Sequence, residues 1–172
     1  LRPFVTSGTA HKRGLAVLLA GKICIVTGAG SPRGIGFSTA QLFAEHGATV
    51  IVADRSMDES VIGKLRAPDA EGSAAFPQIH GIRCDITDPD DCRYLIDNVA
   101  EQFGRIDCLV NSAGLVETSG MLNIGDDALE RMLAVNLKGL FRLCRNVLDV
   151  LSRQQNGVII NLASAAAQRG GG

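Results

Sequence analysis

The densest chemistry in the chain lies in one turn, Thr27-Gly28-Ala29-Gly30-Ser31-Pro32-Arg33-Gly34-Ile35-Gly36. Glycines there let backbone N–H groups approach a pyrophosphate, and a helix starting near Gly34 points its positive end at that charge. The turn follows the apolar run Ile23–Val26 and precedes a segment of helical period, the context a phosphate cradle requires. A tight turn without a ligand uses the same residues. Asp54 ends the second apolar run, 18 residues after Gly36. A carboxylate there accepts both ribose hydroxyls of an adenosine, in charge-assisted bonds of roughly 1.5–3 kcal/mol each. It repels a 2′-phosphate, which favours NAD over NADP, while Arg33 and Arg55 could each pair with that phosphate. The plainer role for Asp54 is a strand-end acid that caps the helix after Ser56.

These residues need elements to position them. Apolar runs at Ile23–Val26, Thr49–Ala53, Ile79–Cys84, Ile106–Val110 and Val158–Leu162 are short, rich in β-branched residues and mostly without alternation. They predict strands buried on both faces. Between them, Ile35, Thr39, Leu42 and Phe43 share one face of a first helix. Cys92, Leu95, Ile96, Val99 and Phe103 form an amphipathic stripe. Ser56-x-x-Glu59 predicts a capping box, and Thr87-Asp88-Pro89 predicts a capped helix start with an early proline. A long last helix is expected over roughly Asp126 to Arg153, ending near Asn156-Gly157. The first four strand starts are spaced close to the ~30-residue βαβ repeat. The expected fold class is α/β, a doubly wound parallel sheet of Rossmann type with strand order 3-2-1-4-5.

Composition narrows the function. The 172 residues suit one domain, with residues 1–18 read as a lead-in and 19–172 as a dinucleotide-binding domain. Seventeen basic against eighteen acidic side chains give a formal charge of −1, which supplies no excess to displace phosphate counterions, so no nucleic-acid partner is expected. No run reaches the roughly 18 apolar residues of a bilayer span, so no membrane partner is expected either. Lys12-Arg13 and the apolar stretch after it are followed by no small-x-small cleavage site. Five cysteines without a C-x-x-C fit reduced, buried thiols, and the expected location is cytoplasmic. The histidines are scattered, and the acids around Asp85–Asp91 read as a solvated helix start, so no metal is expected.

With these motifs in order, the chain from about Leu19 onward resembles the classical short-chain dehydrogenase/reductase family. Thr27-Gly28 through Gly34-Ile35-Gly36 is similar to that family's T-G-x-x-x-G-x-G cofactor turn, with five rather than three residues between Gly28 and Gly34. The resemblance implies cofactor contacts from Gly28, Ser31, Arg33, Gly34, Ile35, Gly36 and Asp54. Cys84-Asp85-Ile86 resembles the acidic step after strand 3, whose Asp meets the adenine amine. Asn111-Ser112-Ala113-Gly114 resembles N-N-A-G, implying that Asn111, Ala113 and Gly114 brace the sheet and border the cofactor ribose. Asn136 matches the catalytic Asn, which helps hold a water for proton relay. Ser164, ending Ile160-Asn161-Leu162-Ala163-Ser164, matches the Ser that polarises the substrate oxygen. An exposed or bridging polar group at Asn136, and a small strand-end filler at Ser164, are the plainer alternatives.

The family's acid/base is the Tyr of Y-x-x-x-K, expected about a dozen residues beyond Ser164. The sequence stops at Gly172 and its single tyrosine is Tyr94, with Asn98 rather than Lys at i+4. The expectation is therefore the N-terminal part of a longer domain, lacking later strands and helices and incompetent by itself. The parent is expected to be an NAD(P)-dependent oxidoreductase that moves hydride between nicotinamide and a small-molecule secondary alcohol or ketone. It would be 3-oxoacyl-reductase-like or a general alcohol dehydrogenase, and a homo-oligomer. A catalytically incomplete nucleotide-binding fragment and an S-adenosylmethionine-dependent methyltransferase remain as alternatives.

Overall fold

The computed structural model describes residues 17–67 and 78–165. Within them, a five-stranded parallel sheet has the order β3-β2-β1-β4-β5, where β1 is Ile23–Thr27, β2 Thr49–Asp54, β3 Ile79–Arg83, β4 Cys108–Asn111 and β5 Val158–Asn161. The helices are α1 (Ile35–Glu45), α2 (Glu59–Arg66), α3 (Pro89–Phe103), α4 (Asp126–Leu133) and α5 (Leu140–Gln154), with a π-helical turn, Ala134–Gly139, between the last two. This is the expected doubly wound fold. The expected lead-in lies, through residue 16, outside the described residues.

Successive strand residues face opposite sides of the sheet, and each side has its own core. Ile23, Ile25, Ile51 and Leu109 pack against Leu95, Ile96 and Val99 of α3 and Leu143, Val147 and Leu151 of α5. Cys24, Val26, Val50, Val52 and Val110 pack against Phe37, Ala40 and Ala44 of α1 and Ile62 and Leu65 of α2. Two-sided burial explains why the inner strands lack polar alternation. It holds for β1, β2 and β4, whereas edge strands β3 and β5 are only partly covered, with Val158 and Ile160 half exposed.

Two local expectations are revised. The buried face of α1 is Gly36, Phe37, Ala40 and Ala44, while Ile35 and Leu42 are exposed. Small residues win there because Gly36 lies against the β1 turn: a Cβ on it would sit 2.6 Å from Gly28 O. The Ser56 capping box does not form. Asp58 caps α2 by accepting from Val61 N–H at 2.9 Å, and Ser56 turns back to Asp54. The long last helix is present as expected, running without a break from Asp126 to Gln154 through α4, the π turn and α5; at the π turn Gly139 meets Ile86 so closely that a Cβ would lie 2.9 Å from its atoms. It ends where expected, next to Asn156-Gly157, with Gln155 as a left-handed cap at φ +54°. The start of α3 is as expected, with Asp88 as cap and Pro89 in its first turn.

The N-terminal edge of the sheet is locked by Asp107, 9% exposed. Its Oδ2 accepts from Ile23 N–H at 2.9 Å, its Oδ1 from Lys22 Nζ at 3.2 Å and from Arg105, and its backbone bonds both β1 and β5. Burial pushes its carboxyl up, but the Ile23 N–H and the two cations more than offset this and leave it below the usual range. A depressed carboxyl contributes stability above its unfolded pKa and loses it as pH falls through the lower folded value. Asp107→Asn is therefore predicted to lower stability at pH 7 by about 1–3 kcal/mol. It should also flatten the acid limb below about pH 4, as measured by urea unfolding across pH. An unchanged acid limb would remove Asp107 from that role.

Candidate functional site

Apart from Asn136, which stands on the π turn, every residue singled out for chemistry lies at or just beyond the carboxyl end of a strand, the edge where open parallel sheets bind ligands. Thr27 closes β1 and ties it to β4. Its hydroxyl donates to Val110 O at 3.4 Å and accepts from the N–H groups of Ser112 and Ala113 at 3.3 and 3.4 Å. Gly28 follows at φ +72°, a conformation that disfavours a side chain, and a Cβ there would lie 2.5 Å from Ala113 Cα. The β1 and β4 turns thus touch backbone to backbone.

Ser31 and Arg33 are exposed on the lengthened loop, and Gly34 N–H donates to Ser31 O at 2.8 Å. Gly34 is the N-cap of α1 and supplies no side-chain bond, so the first-turn N–H groups of Ile35, Gly36 and Phe37 have no side-chain cap. That is the donor set a pyrophosphate uses. Ile35 stands 67% exposed above it.

Asp54 ends β2 with both carboxylate oxygens held. Oδ2 accepts from Gly30 N–H at 3.0 Å, and Oδ1 from Ser56 N–H at 2.9 Å and Ser56 Oγ–H at 2.7 Å. A carboxylate offers about four acceptor directions, so one remains, at Oδ2. The acid therefore orders the glycine turn and the start of the β2–α2 connection while keeping capacity for a hydroxyl. Beside it opens a cavity of about 580 Å³ lined by Arg55, Ser56, Arg83, Asp85 and Asp91. Asp85 Oδ1 accepts from Thr87 N–H at 2.9 Å and Oγ–H at 2.7 Å, and its own N–H donates to Asp91. The Thr87 bonds, with Arg55 nearby, outweigh burial and hold the Asp85 carboxyl below its ordinary value. Ile86 is buried in the core against Gly139, so its backbone rather than its side chain is what the site can use.

On the far side, Asn111 is 4% exposed and donates to Asn161 Oδ1 at 2.8 Å. Ala113 packs under Gly28, and Gly114 lies beside Asn136, whose Oδ1 would be 3.6 Å from a Cβ there. Asn136, on the π turn, clasps the next residue with both ends of its amide: Leu115 N–H donates to Oδ1 and Nδ2–H donates to Leu115 O, each at 2.8 Å. Ser164 is exposed three residues beyond β5. The structure thus brings Gly28–Gly36, Asp54, Asp85 and Asn111–Gly114 to one edge. Tyr94 lies elsewhere, 60% exposed on α3 beside a depression lined by Asp90, Arg93, Asp97 and Asn98. Sequence reading passed over Ser56 as partner of Asp54, and Arg83 and Asp91 as lining. Arg83 was signalled only by its register opposite Asp54. It also missed Cys144, whose contacts join residues 33 apart in the chain.

Residues 22–172 match the family model for short chain dehydrogenases. The chain is 37% identical over 156 residues to an uncharacterized short-chain type dehydrogenase/reductase of Sinorhizobium fredii, covering 91% of this chain and 60% of that protein. It is 34% identical to a 3-oxoacyl-[acyl-carrier-protein] reductase of Thermotoga maritima, covering 85% and 56%. A solved short-chain dehydrogenase/reductase from Burkholderia xenovorans superposes with a TM-score of 0.75 at 34% identity, covering 88% of this chain and 59% of that one. The chain belongs to the short-chain dehydrogenase family. It spans a little over half the length of these relatives.

The clasp on Leu115 gives a direct prediction. Asn136→Ala should raise amide exchange at Leu115 by about tenfold or more, because two hydrogen bonds that hold the segment are lost. Hydrogen exchange followed by NMR reads this, with β1 and β4 amides unchanged. Equal exchange in both proteins would show that the clasp does not order the segment.

Proposed function

We propose that the chain is the dinucleotide-binding part of an NAD-dependent oxidoreductase that transfers hydride between nicotinamide and a secondary alcohol or ketone. The observation that carries this reading is Asp54, locked to Gly30 N–H and Ser56 at the mouth of the glycine turn with one acceptor direction left. The cradle fits a dinucleotide on its own geometry. The touching backbones at Gly28 and Ala113 and the first turn of α1 give a floor and donors for a pyrophosphate. Asp54 would take a ribose hydroxyl, and Asp85 with the Ile86 backbone the adenine side. When bound, the nicotinamide supplies the site at which hydride is accepted or given.

The chain's own residues supply the surroundings. Ser164 would hold the substrate oxygen, and Asn136 would fix the Leu115 segment that borders the nicotinamide side. Tyr94 faces solvent on α3, so proton transfer to the substrate oxygen falls to a group other than this tyrosine. That favours, as a second reading for the 172 residues taken alone, a nucleotide-binding unit without turnover. The Ser164 and Asn111–Gly114 positions favour hydride transfer over the methyltransferase alternative.

The surroundings in the cell are part of the same reading. All five cysteines are free. Hydrogen bonding to Cys108 and to Cys92, together with burial, pushes the thiols of Cys24 and Cys84 up; free, mostly buried thiols suit the reducing, cytoplasmic setting proposed here. Among the described residues no helix is long and apolar enough to cross a membrane. A homo-oligomer is proposed for the longer protein.

Calorimetric titration of the chain with NAD and NADP tests the cofactor assignment. NAD should bind more tightly, and Asp54→Ala should weaken NAD by roughly tenfold or more while narrowing the preference, since a charge-assisted bond and a repulsion of 2′-phosphate are both removed. Tighter binding of NADP by the unaltered chain would contradict the role given to Asp54.

A further inference from the structure

At the carboxyl ends of β4 and β5 the register pairs Asn111 with Asn161, and one side chain of α5 reaches both. Asn111 Nδ2–H donates to Asn161 Oδ1 at 2.8 Å and to Cys144 Sγ at 3.4 Å. The Cys144 thiol donates in turn to the same Asn161 Oδ1, at 3.8 Å. The three groups close a triangle between two strand ends and a helix. Asn111 is almost fully buried, and its Oδ1 has no hydrogen-bond partner among the described residues. Its amide is therefore oriented through Nδ2 alone, by Asn161 and Cys144.

Each corner leads to a different part of the site. Asn111 opens the Ser112–Gly114 turn that packs under Gly28. Asn161 is followed three residues later by Ser164. Cys144 stands on α5, which continues directly from the π turn that carries Asn136. The other four cysteines are buried, and Cys144 is the half-buried one.

We propose that Cys144 is a positioning residue: its sulfur, as acceptor from Asn111 and donor to Asn161, holds the Ser164 strand end and the Asn136 helix in fixed relation to the nucleotide turn. The kinetic consequence rests on the hydride-transfer reading above, and the geometric one does not. A residue that only fills space at this position is replaceable by any side chain of similar size. The positioning role needs a group that both accepts and donates, which a hydroxyl does and an aliphatic side chain does not.

The test compares Cys144→Ser and Cys144→Val in the full-length protein that contains this chain. The readouts are exchange of the Asn111 side-chain amide by NMR and steady-state hydride transfer at saturating NAD. Cys144→Val should speed amide exchange by about tenfold or more and lower kcat by about threefold to tenfold, with KM for NAD unchanged within about twofold. Cys144→Ser should restore both toward the unaltered protein. Should the Val protein fail to fold, Cys144→Ala is measured against the same criteria. Unchanged amide exchange in the aliphatic variant, or equal impairment by Ser and Val, overturns the proposal. Faster amide exchange rescued by Ser, in a protein that oxidises no secondary alcohol, supports the positioning role and overturns the oxidoreductase reading instead.

Discussion

The arrangement of the site depends on one steric constraint, the contact of the β1 and β4 turns at Gly28 and Ala113. A single Cβ at Gly28 would fall 2.5 Å from Ala113 Cα, far inside van der Waals contact. Thr27 reinforces the approach by bonding three backbone groups of β4 and the turn after it. With those backbones touching, Gly36 must lie against Gly28 O, and this fixes the rotational phase of α1. The small residues at 40 and 44 then become the buried face, and Ile35 is turned outward above the uncapped helix start. The donors for a pyrophosphate are set by that packing and not by loop sequence alone.

The two ends of the sheet do different jobs. At the amino end Asp107 gathers Lys22, Arg105 and Ile23 N–H into a lock that joins β1, β4 and β5. At the carboxyl end the charged groups are held but not consumed: Asp54 and Asp85 are oriented by backbone N–H and hydroxyl donors, and among the described residues neither is in a direct ion pair. Carboxylates held this way keep their direction when a ligand arrives, at little cost in reorganisation. Asn136 and the Asn111–Asn161–Cys144 triangle extend the same device to the side where substrate chemistry is proposed.

Much of the fold was legible in the sequence because burial on both faces removes polar residues from β1, β2 and β4, leaving short β-branched runs at regular intervals. The strand order followed from that spacing and from the handedness of crossovers. What was not legible came from contacts between distant segments. The phase of α1 was misread because size suggested Ile35 and Leu42 as core, whereas the approach of Gly36 to Gly28 decided it. The long helix was legible, but its π segment at Ala134–Gly139 leaves no mark in a helical pattern; there Gly139 meets Ile86, 53 residues earlier. Around the site, the glycine turn and Asp54 were readable from position. The partners of Asp54 at Ser56, and the thiol of Cys144, were not, since each is recruited by geometry that no spacing rule encodes.

Backbone amide resonances of the chain, followed during titration with NAD, give the most direct test of dinucleotide binding at this edge. Shifts should concentrate at Gly28–Gly36, Asp54–Ser56, Asp85–Ile86 and Ser112–Gly114, with the amino-end residues Lys22, Ile23 and Asp107 unmoved. Shifts confined to the solvent face of α3 around Tyr94, or none at saturating dinucleotide, would contradict it.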